Sequence, residues 1–345
     1  MGGDPARGRL PLHLVPLMPT SPTKENGQAS PAAPGLTGVL ALWAMWIVVC
    51  AATWATNARI PVSLLYGFHG AGIVSAAGRV IVLLGWPVAL GAIPLMAVAV
   101  ERFLAYPHSP RSARVVGVAS VVSILLGVTI AWPGAQKGSH LDAKFINAPA
   151  AVGVAIAFGL TIFVVLRTGR GVALPRTRVA VAWAAVFLVI LLLSLPWLLA
   201  NLGYYAGDVP GLRWLFMSEQ VVPEPGNPHL RAVHLGNHEG IDGVLLAITA
   251  VVLMRTLRAM ARSARRTVLA AYLSLLLVYG LGVALADGWH EQIVKRGWTA
   301  WRVPNALHPS ASWAWLVVLV AALLVWLLVQ GWLLAQERGV RPRRA

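Results

Sequence analysis

Residues 229–256 read HLRAVHLGNHEGIDGVLLAITAVVLMRT, and this stretch decides the fold. Three histidines and two acids stand at the start of an apolar run near 240–256. In the hydrocarbon core of a membrane, backbone N–H and C=O groups find no water, so a spanning segment of this kind must be helical. The stretch therefore predicts a transmembrane helix that carries polar chemistry at one end.

Eight apolar runs of this kind occur along the chain. They lie near 36–56, 79–100, 115–133, 148–166, 179–199, 240–256, 267–286 and 313–334. Each is close to the ~20 residues that cross ~30 Å of hydrocarbon at ~1.5 Å per residue. We predict an all-α integral membrane protein, built as a bundle of about eight transmembrane helices.

The composition agrees with a membrane protein and disfavours a nucleic-acid-binding one. Of the 345 residues, 58% are hydrophobic and 12% are charged, and the mean hydropathy is +0.71. A soluble domain carries about 25% charged residues. The formal net charge of +16 lies in short loops between apolar runs and forms no basic face on a soluble domain. We expect membrane lipid as a partner and no nucleic acid.

The orientation follows from the larger share of Lys and Arg, which falls in the N-terminal tail and in alternate loops. These inner loops carry Arg102, Arg111, Arg114, Arg167, Arg170, Arg176, Arg178, Arg255, Arg258, Arg262, Arg265 and Arg266. The positive-inside rule places both termini in the cytoplasm of a cell with a bacterial-type plasma (inner) membrane.

The same assignment predicts three regions along the chain. Residues 1–35 form a disordered cytoplasmic tail, 36–334 form the helical bundle, and 335–345 form a basic cytoplasmic tail. Long outer loops lie at 200–239 and 287–312, and they either bind a ligand or cap the bundle. No Asp, Glu, Lys, Arg or His lies near the middle of any run, which disfavours a proton-coupled transporter or a charged channel.

The outer loops contain the candidate site. His234, His238 and Asp242 follow one another at a spacing of four, so they share one face of a continuous helix. Asn237 is a favoured N-cap residue and Glu239 falls in the first turn, which predicts that the helix begins at His238. His238 and Asp242 then form a rigid pair, and His234 folds back from the loop.

This pattern predicts a divalent metal site, for example for zinc. His69 and His290 are candidate ligands from other outer loops, and Glu239 or Glu291 is the candidate general base. The alternative is that Asn237 caps the helix and that the histidines are interfacial polar residues at the depth of the lipid headgroups.

Residues 287–302 form a second segment of interest. At helical spacing Trp289, Trp298 and Trp301 share a face, which predicts an interfacial helix that lies flat with its tryptophans at headgroup depth. Lys295 and Arg296 would then bind the phosphate of a lipid headgroup. The alternative is a helix that caps the bundle.

Three runs resemble an uncharacterised family of bacterial multi-pass membrane proteins. They are Leu-Asp-Ala-Lys-Phe-Ile-Asn-Ala at 141–148, His-Leu-Gly-Asn-His-Glu-Gly-Ile-Asp-Gly at 234–243 and Glu-Gln-Ile-Val-Lys-Arg-Gly-Trp at 291–298. The resemblance implies a multi-pass membrane protein and brings no activity.

Two functions of different classes follow from the residues. The first is an outer-face site that binds a divalent metal and acts on a lipid-linked or envelope substrate. The second is a non-enzymatic membrane protein whose outer loops bind a partner protein or lipid.

Overall fold

The computed structural model describes residues 33–57, 84–131, 147–171 and 239–340 apart from 305 and 308, with four helical residues between 185 and 192. At 52–57, 131, 291–292 and 338–340 it describes the backbone alone. Within these ranges the chain forms helices, helical turns and loops, without strands. The helices are α1 (Thr37–Asn57), α2 (Val88–Leu104), α3 (Pro110–Val128), α4 (Ala148–Thr168), α5 (Glu239–Met254), α6 (Ala264–Trp289) and α7 (Trp313–Val340).

Five helical segments among the described residues are long and apolar enough to cross a membrane. They are Pro110–Ile130, Ala148–Thr168, Glu239–Ala259, Ala264–Trp289 and Trp313–Glu337. The protein is therefore a helical, multi-pass membrane protein, as predicted. The predicted span at 179–199 lies almost wholly outside the described residues.

Two helices differ from the predicted spans at their ends. The run at 79–100 was predicted as a helix, but α2 begins at Val88, directly after Pro87. Proline lacks an N–H donor and suits the start of a helix better than its interior. At the other end of the chain α7 continues past 334 to Val340, and Glu337 in this extension pairs with Arg266 at 2.6 Å.

Helix α5 lies at the centre of the bundle. In the most apolar 18 residues of the membrane-spanning segment that contains it, 83% of the residues are buried. After its acidic first turn α5 is apolar on all sides, as expected for a helix surrounded by other helices. By contrast, α3 and α7 expose large apolar side chains, with Leu125 61% and Leu328 74% exposed. These outer helices provide the surface that faces lipid.

Small residues let α5 and α6 approach closely. The backbones of Gly243 on α5 and Gly280 on α6 are in contact, and Ala247 and Ala284 follow them at a spacing of four. Between membrane helices the lipid supplies little hydrophobic driving force, so close packing of this kind carries the association.

Polar contacts join several helix ends at one end of the bundle, which we call the basic end. Glu101 at the end of α2 forms an ion pair with Arg265 at the start of α6. Arg266 pairs with Glu337 of α7, and the backbone N–H of Leu36, just before α1, donates to the carbonyl oxygen of Arg170 at 2.8 Å. The start of α5 and the end of α6 therefore lie at the opposite end of the bundle.

Candidate polar cavity at the opposite end of the bundle

A cavity of about 230 Å³ lies where α5 begins and α6 ends, and we call it the polar cavity. Its lining residues are Glu239, Val283, Ala286, Asp287, Trp289, His290, Arg302 and Val303. Two carboxylates, one imidazole and one guanidinium thus line the same cavity. The start of α5 contributes Glu239, the end of α6 contributes Asp287 and His290, and the loop after α6 contributes Arg302.

Local helix geometry explains how these groups reach the cavity. Glu239 lies in the first turn of α5, where the positive end of the helix dipole favours a carboxylate. Asp287 and His290 are three positions apart at the end of α6, so they lie on one side of the helix. Asp287 is buried, with 7% of its surface exposed.

The predicted flat interfacial helix over 287–302 is wrong. Helix α6 continues to Trp289 and then forms a π-helical turn over His290–Val294, which is followed by irregular chain. Gly297 adopts a positive φ of 75°, which favours glycine and reverses the chain. The rings of Trp289 and Trp301 do meet, with centroids 5.2 Å apart. They meet because the chain reverses between them, and not because they share one face of a helix.

The surroundings of His290 favour its neutral form. Partial burial lowers the pKa of this imidazole, and the positive charges of Lys295 and Arg302 lower it further. The Glu239 carboxylate acts in the opposite direction and is the weaker influence. A neutral imidazole at physiological pH has a lone pair with which it can accept a proton or bind a metal ion.

The cavity contains some of the predicted site residues and not others. Glu239 and His290 both line it. Asp242 lies about one turn further along α5, is half-buried and is not part of the lining. His69, His234 and His238 lie outside the described residues, and so does the side chain of Glu291.

The described residues alone do not form a metal site. Among them, no three His, Cys, Asp or Glu side chains are grouped closely enough to hold a metal ion. A metal in the polar cavity would therefore need ligands from the rest of the chain. His238 is the first candidate, because it directly precedes Glu239 in sequence.

The predicted headgroup residues lie just beyond the cavity. The guanidinium carbon of Arg296 is 5.6 Å from the ring centroid of Trp298, within range of a cation–π interaction. Trp298 is 58% exposed and Trp301 is 60% exposed. Binding of a lipid phosphate by Lys295 and Arg296 stays a prediction.

Asp287 and Arg302 line the cavity and were absent from the predicted site. The signal for Asp287 is its spacing of three from His290, which places both residues on one side of any helix that contains them. Arg302 gives no comparable signal, since a loop of irregular backbone brings it to the cavity.

The fold and the cavity can also be compared with proteins that are already known. No protein-family model, no curated protein and no solved structure matches this chain.

Proposed function

We propose that the polar cavity is the outer-face site of a plasma-membrane protein, that it holds a divalent metal ion such as zinc, and that it acts on a lipid-linked or envelope substrate. One observation carries this proposal. Glu239 and His290 come from different helices, and they line one cavity together with Asp287 and Arg302.

The proposed metal ligands are His290 and the two histidines that precede α5. His238 is adjacent to Glu239 in the chain, and His234 precedes His238 by four residues. Three protein ligands with one open position for water are the usual arrangement of a catalytic zinc ion. Asp242 is left out of this set because it does not line the cavity, and His69 is a further candidate ligand.

The remaining polar residues receive roles that match their chemistry. When bound, the metal would lower the pKa of a coordinated water and polarise the substrate. Glu239 would accept the proton of that water, and Glu291 is the alternative base. Arg302 would bind an anionic group of the substrate through its forked N–H donors.

The first test is the metal content of detergent-purified protein, measured by mass spectrometry. We expect close to one divalent ion per chain in the wild type and a loss of at least about tenfold in His290→Ala, since each removed ligand typically costs a zinc site several kcal/mol of binding free energy. Glu239→Gln should retain the metal, because its proposed role is that of a base.

The matched control is His13→Ala, which removes a histidine from the N-terminal tail. This variant should keep its metal. Wild-type protein that is free of metal after purification without chelators would contradict the metal site, as would equal metal content in His290→Ala and wild type.

We also propose that eight spans leave both termini and the basic end in the cytoplasm. The positive-inside rule supports this orientation, because the tails and loops assigned to the basic end carry more Lys and Arg than the loops assigned to the opposite end. The polar cavity would then open on the outer face.

A pair of exposed alanines tests the orientation. In a Cys50→Ser background, Ala300→Cys near the polar cavity should react in intact cells with a maleimide that cannot cross membranes. Ala105→Cys at the basic end should react only after the cells are permeabilised. The opposite pattern of labelling would show that the topology is inverted and that the proposed site faces the cytoplasm.

A second candidate function is non-enzymatic binding of lipid or a partner protein through the outer loops. The exposed rings of Trp298 and Trp301, with Arg296 beside Trp298, favour it. Such amphipathic groups suit the headgroup layer of a membrane. Two results together would favour this function over the metal site. The metal-free protein would bind lipid vesicles, and its Trp298→Ala variant would bind them more weakly.

A further inference from the structure

A second cavity, of about 140 Å³, lies deeper in the bundle than the polar cavity, and we call it the apolar cavity. Side chains of α2, α6 and α7 line it, among them Leu90, Leu276 and Trp315, together with Leu307 from the chain between α6 and α7. Nearly all of its surface is hydrocarbon or aromatic carbon.

The two cavities share a wall on α6. Tyr272, Leu276 and Tyr279 line the apolar cavity, whereas Val283 and Asp287 line the polar cavity. These residues recur every three or four positions, so they form one continuous stripe along the helix. Tyr279 and Val283 are one turn apart, which is ~6 Å along the helix axis.

A second shared wall is the segment 302–309. Arg302 and Val303 lie against the polar cavity, and Leu307 and Pro309 lie against the apolar cavity. The two cavities are therefore neighbours along one helix stripe and one loop.

Hydrogen bonds hold the lining of the apolar cavity in place. The indole N–H of Trp86 donates to the hydroxyl of Tyr279 at 2.9 Å, and this hydroxyl donates to the carbonyl oxygen of Leu307 at 2.8 Å. Tyr272 donates to the carbonyl oxygen of Leu90 at 2.9 Å. Because these bonds already engage the polar atoms of the three rings, the lining offers a ligand mainly hydrocarbon contact.

We infer that α6 and the segment 302–309 together bind one amphiphile, whose polar headgroup lies in the polar cavity and whose single hydrocarbon chain enters the apolar cavity. The inference rests on the proposed function, since it assigns the substrate class of that site. The small volume of the apolar cavity suits one chain, and its position within a turn of Val283, which lines the polar cavity, suits a chain that is attached to a headgroup.

Chain-length dependence of binding tests the inference. Octyl phosphate and butyl phosphate share a headgroup that can meet Arg302, and they differ in chain length only. We would measure their dissociation constants on protein in lipid nanodiscs, after subtracting binding to empty nanodiscs. We expect the longer chain to bind at least about tenfold more tightly, because each buried methylene contributes ~4-fold in affinity.

Filling the apolar cavity should remove this preference. Leu275→Trp replaces a half-buried leucine that lines the cavity with a larger, aromatic side chain. Leu276→Phe is a smaller change at another lining position, in case Leu275→Trp does not fold. The matched control is Leu285→Trp, on the same helix at a position that is 63% exposed. It should keep the wild-type preference for the longer chain.

The outcomes separate this inference from the proposed function. Metal content is measured on the same samples, and we expect it to be unchanged in all three variants. Metal-loaded wild type without a chain-length preference would overturn the inference and leave the metal site standing. Equal loss of the preference in Leu275→Trp and Leu285→Trp would also overturn it, because the preference would then reflect general partitioning into lipid.

Discussion

Gly280→Val is expected to separate α5 from α6 and to lower the thermal unfolding midpoint of the purified protein by roughly 5–10 °C. A Cβ at Gly280 would overlap the carbonyl oxygen of Gly243 and lie 2.9 Å from the backbone nitrogen of Ala247. Backbone atoms cannot rotate away as a side chain can, so the two helices must move apart. Overpacking usually costs ~1–3 kcal/mol and more where the backbone is the obstacle, and ~1 kcal/mol shifts the midpoint by ~2–4 °C in a protein of this size class.

Two milder variants test this explanation. Gly280→Ala adds only the Cβ and should lower the midpoint by a smaller amount, whereas Gly159→Ala is the control. Gly159 lies on α4, where an added Cβ meets nothing within 4 Å, so its variant should unfold within about 2 °C of the wild type. Fluorescence-detected unfolding in detergent measures all three. A Gly280→Ala protein as stable as Gly159→Ala would contradict the close contact of α5 and α6.

The helices could be predicted from sequence, and the pairing of α5 with α6 could not. A run of apolar residues long enough to cross a membrane is a local property, so hydropathy is sufficient to find it. The small residues Gly243, Ala247, Gly280 and Ala284 also recur at a spacing of four, which is visible in the sequence. The pairing of one glycine- and alanine-rich helix face with another depends on the whole bundle, because many other glycines and alanines in this chain form similar faces.

The candidate site could be predicted only in part, for the same reason. Glu239 was identified because an acid after Asn237 matches the start of a helix, and that signal is local. Its meeting with His290 depends on the antiparallel packing of α5 and α6. Asp287 lies three residues before His290, but this spacing does not show that both side chains face the start of α5.

Arg102→Met is expected to lower the free energy of unfolding by ~3–5 kcal/mol, because it leaves several carbonyl oxygens without their donor and each orphaned buried group costs ~1–3 kcal/mol. Arg102 is 2% exposed. Its guanidinium donates to the carbonyl oxygens of Pro34, Thr168 and Gly169 at 3.0, 2.8 and 3.1 Å. It also donates to the hydroxyls of Thr168 and Tyr106. One side chain thus joins the end of α2 to the end of α4 and to the residues before α1.

Arg102→Lys should recover only part of this loss, because an ammonium group has three donors on a single nitrogen and cannot reproduce the planar fork of a guanidinium. Unfolding in mixed micelles of increasing SDS content gives the free energies of the three proteins. A Lys variant as stable as wild type would show that charge at this position is sufficient and that the separate hydrogen bonds contribute little.

The control that decides between two explanations of Arg102 is Arg167→Met. The sequence assigns both arginines to inner loops, where positive charge sets the topology, and nothing in the local pattern distinguishes them. Arg167 is exposed and lies over the ring of Phe163 at 5.5 Å, so its loss should cost less than about 1 kcal/mol. If Arg102→Met and Arg167→Met destabilise the protein equally, Arg102 acts only as a positive charge at the basic end. If Arg102→Met alone is damaging, its hydrogen bonds to three segments hold that end of the bundle together.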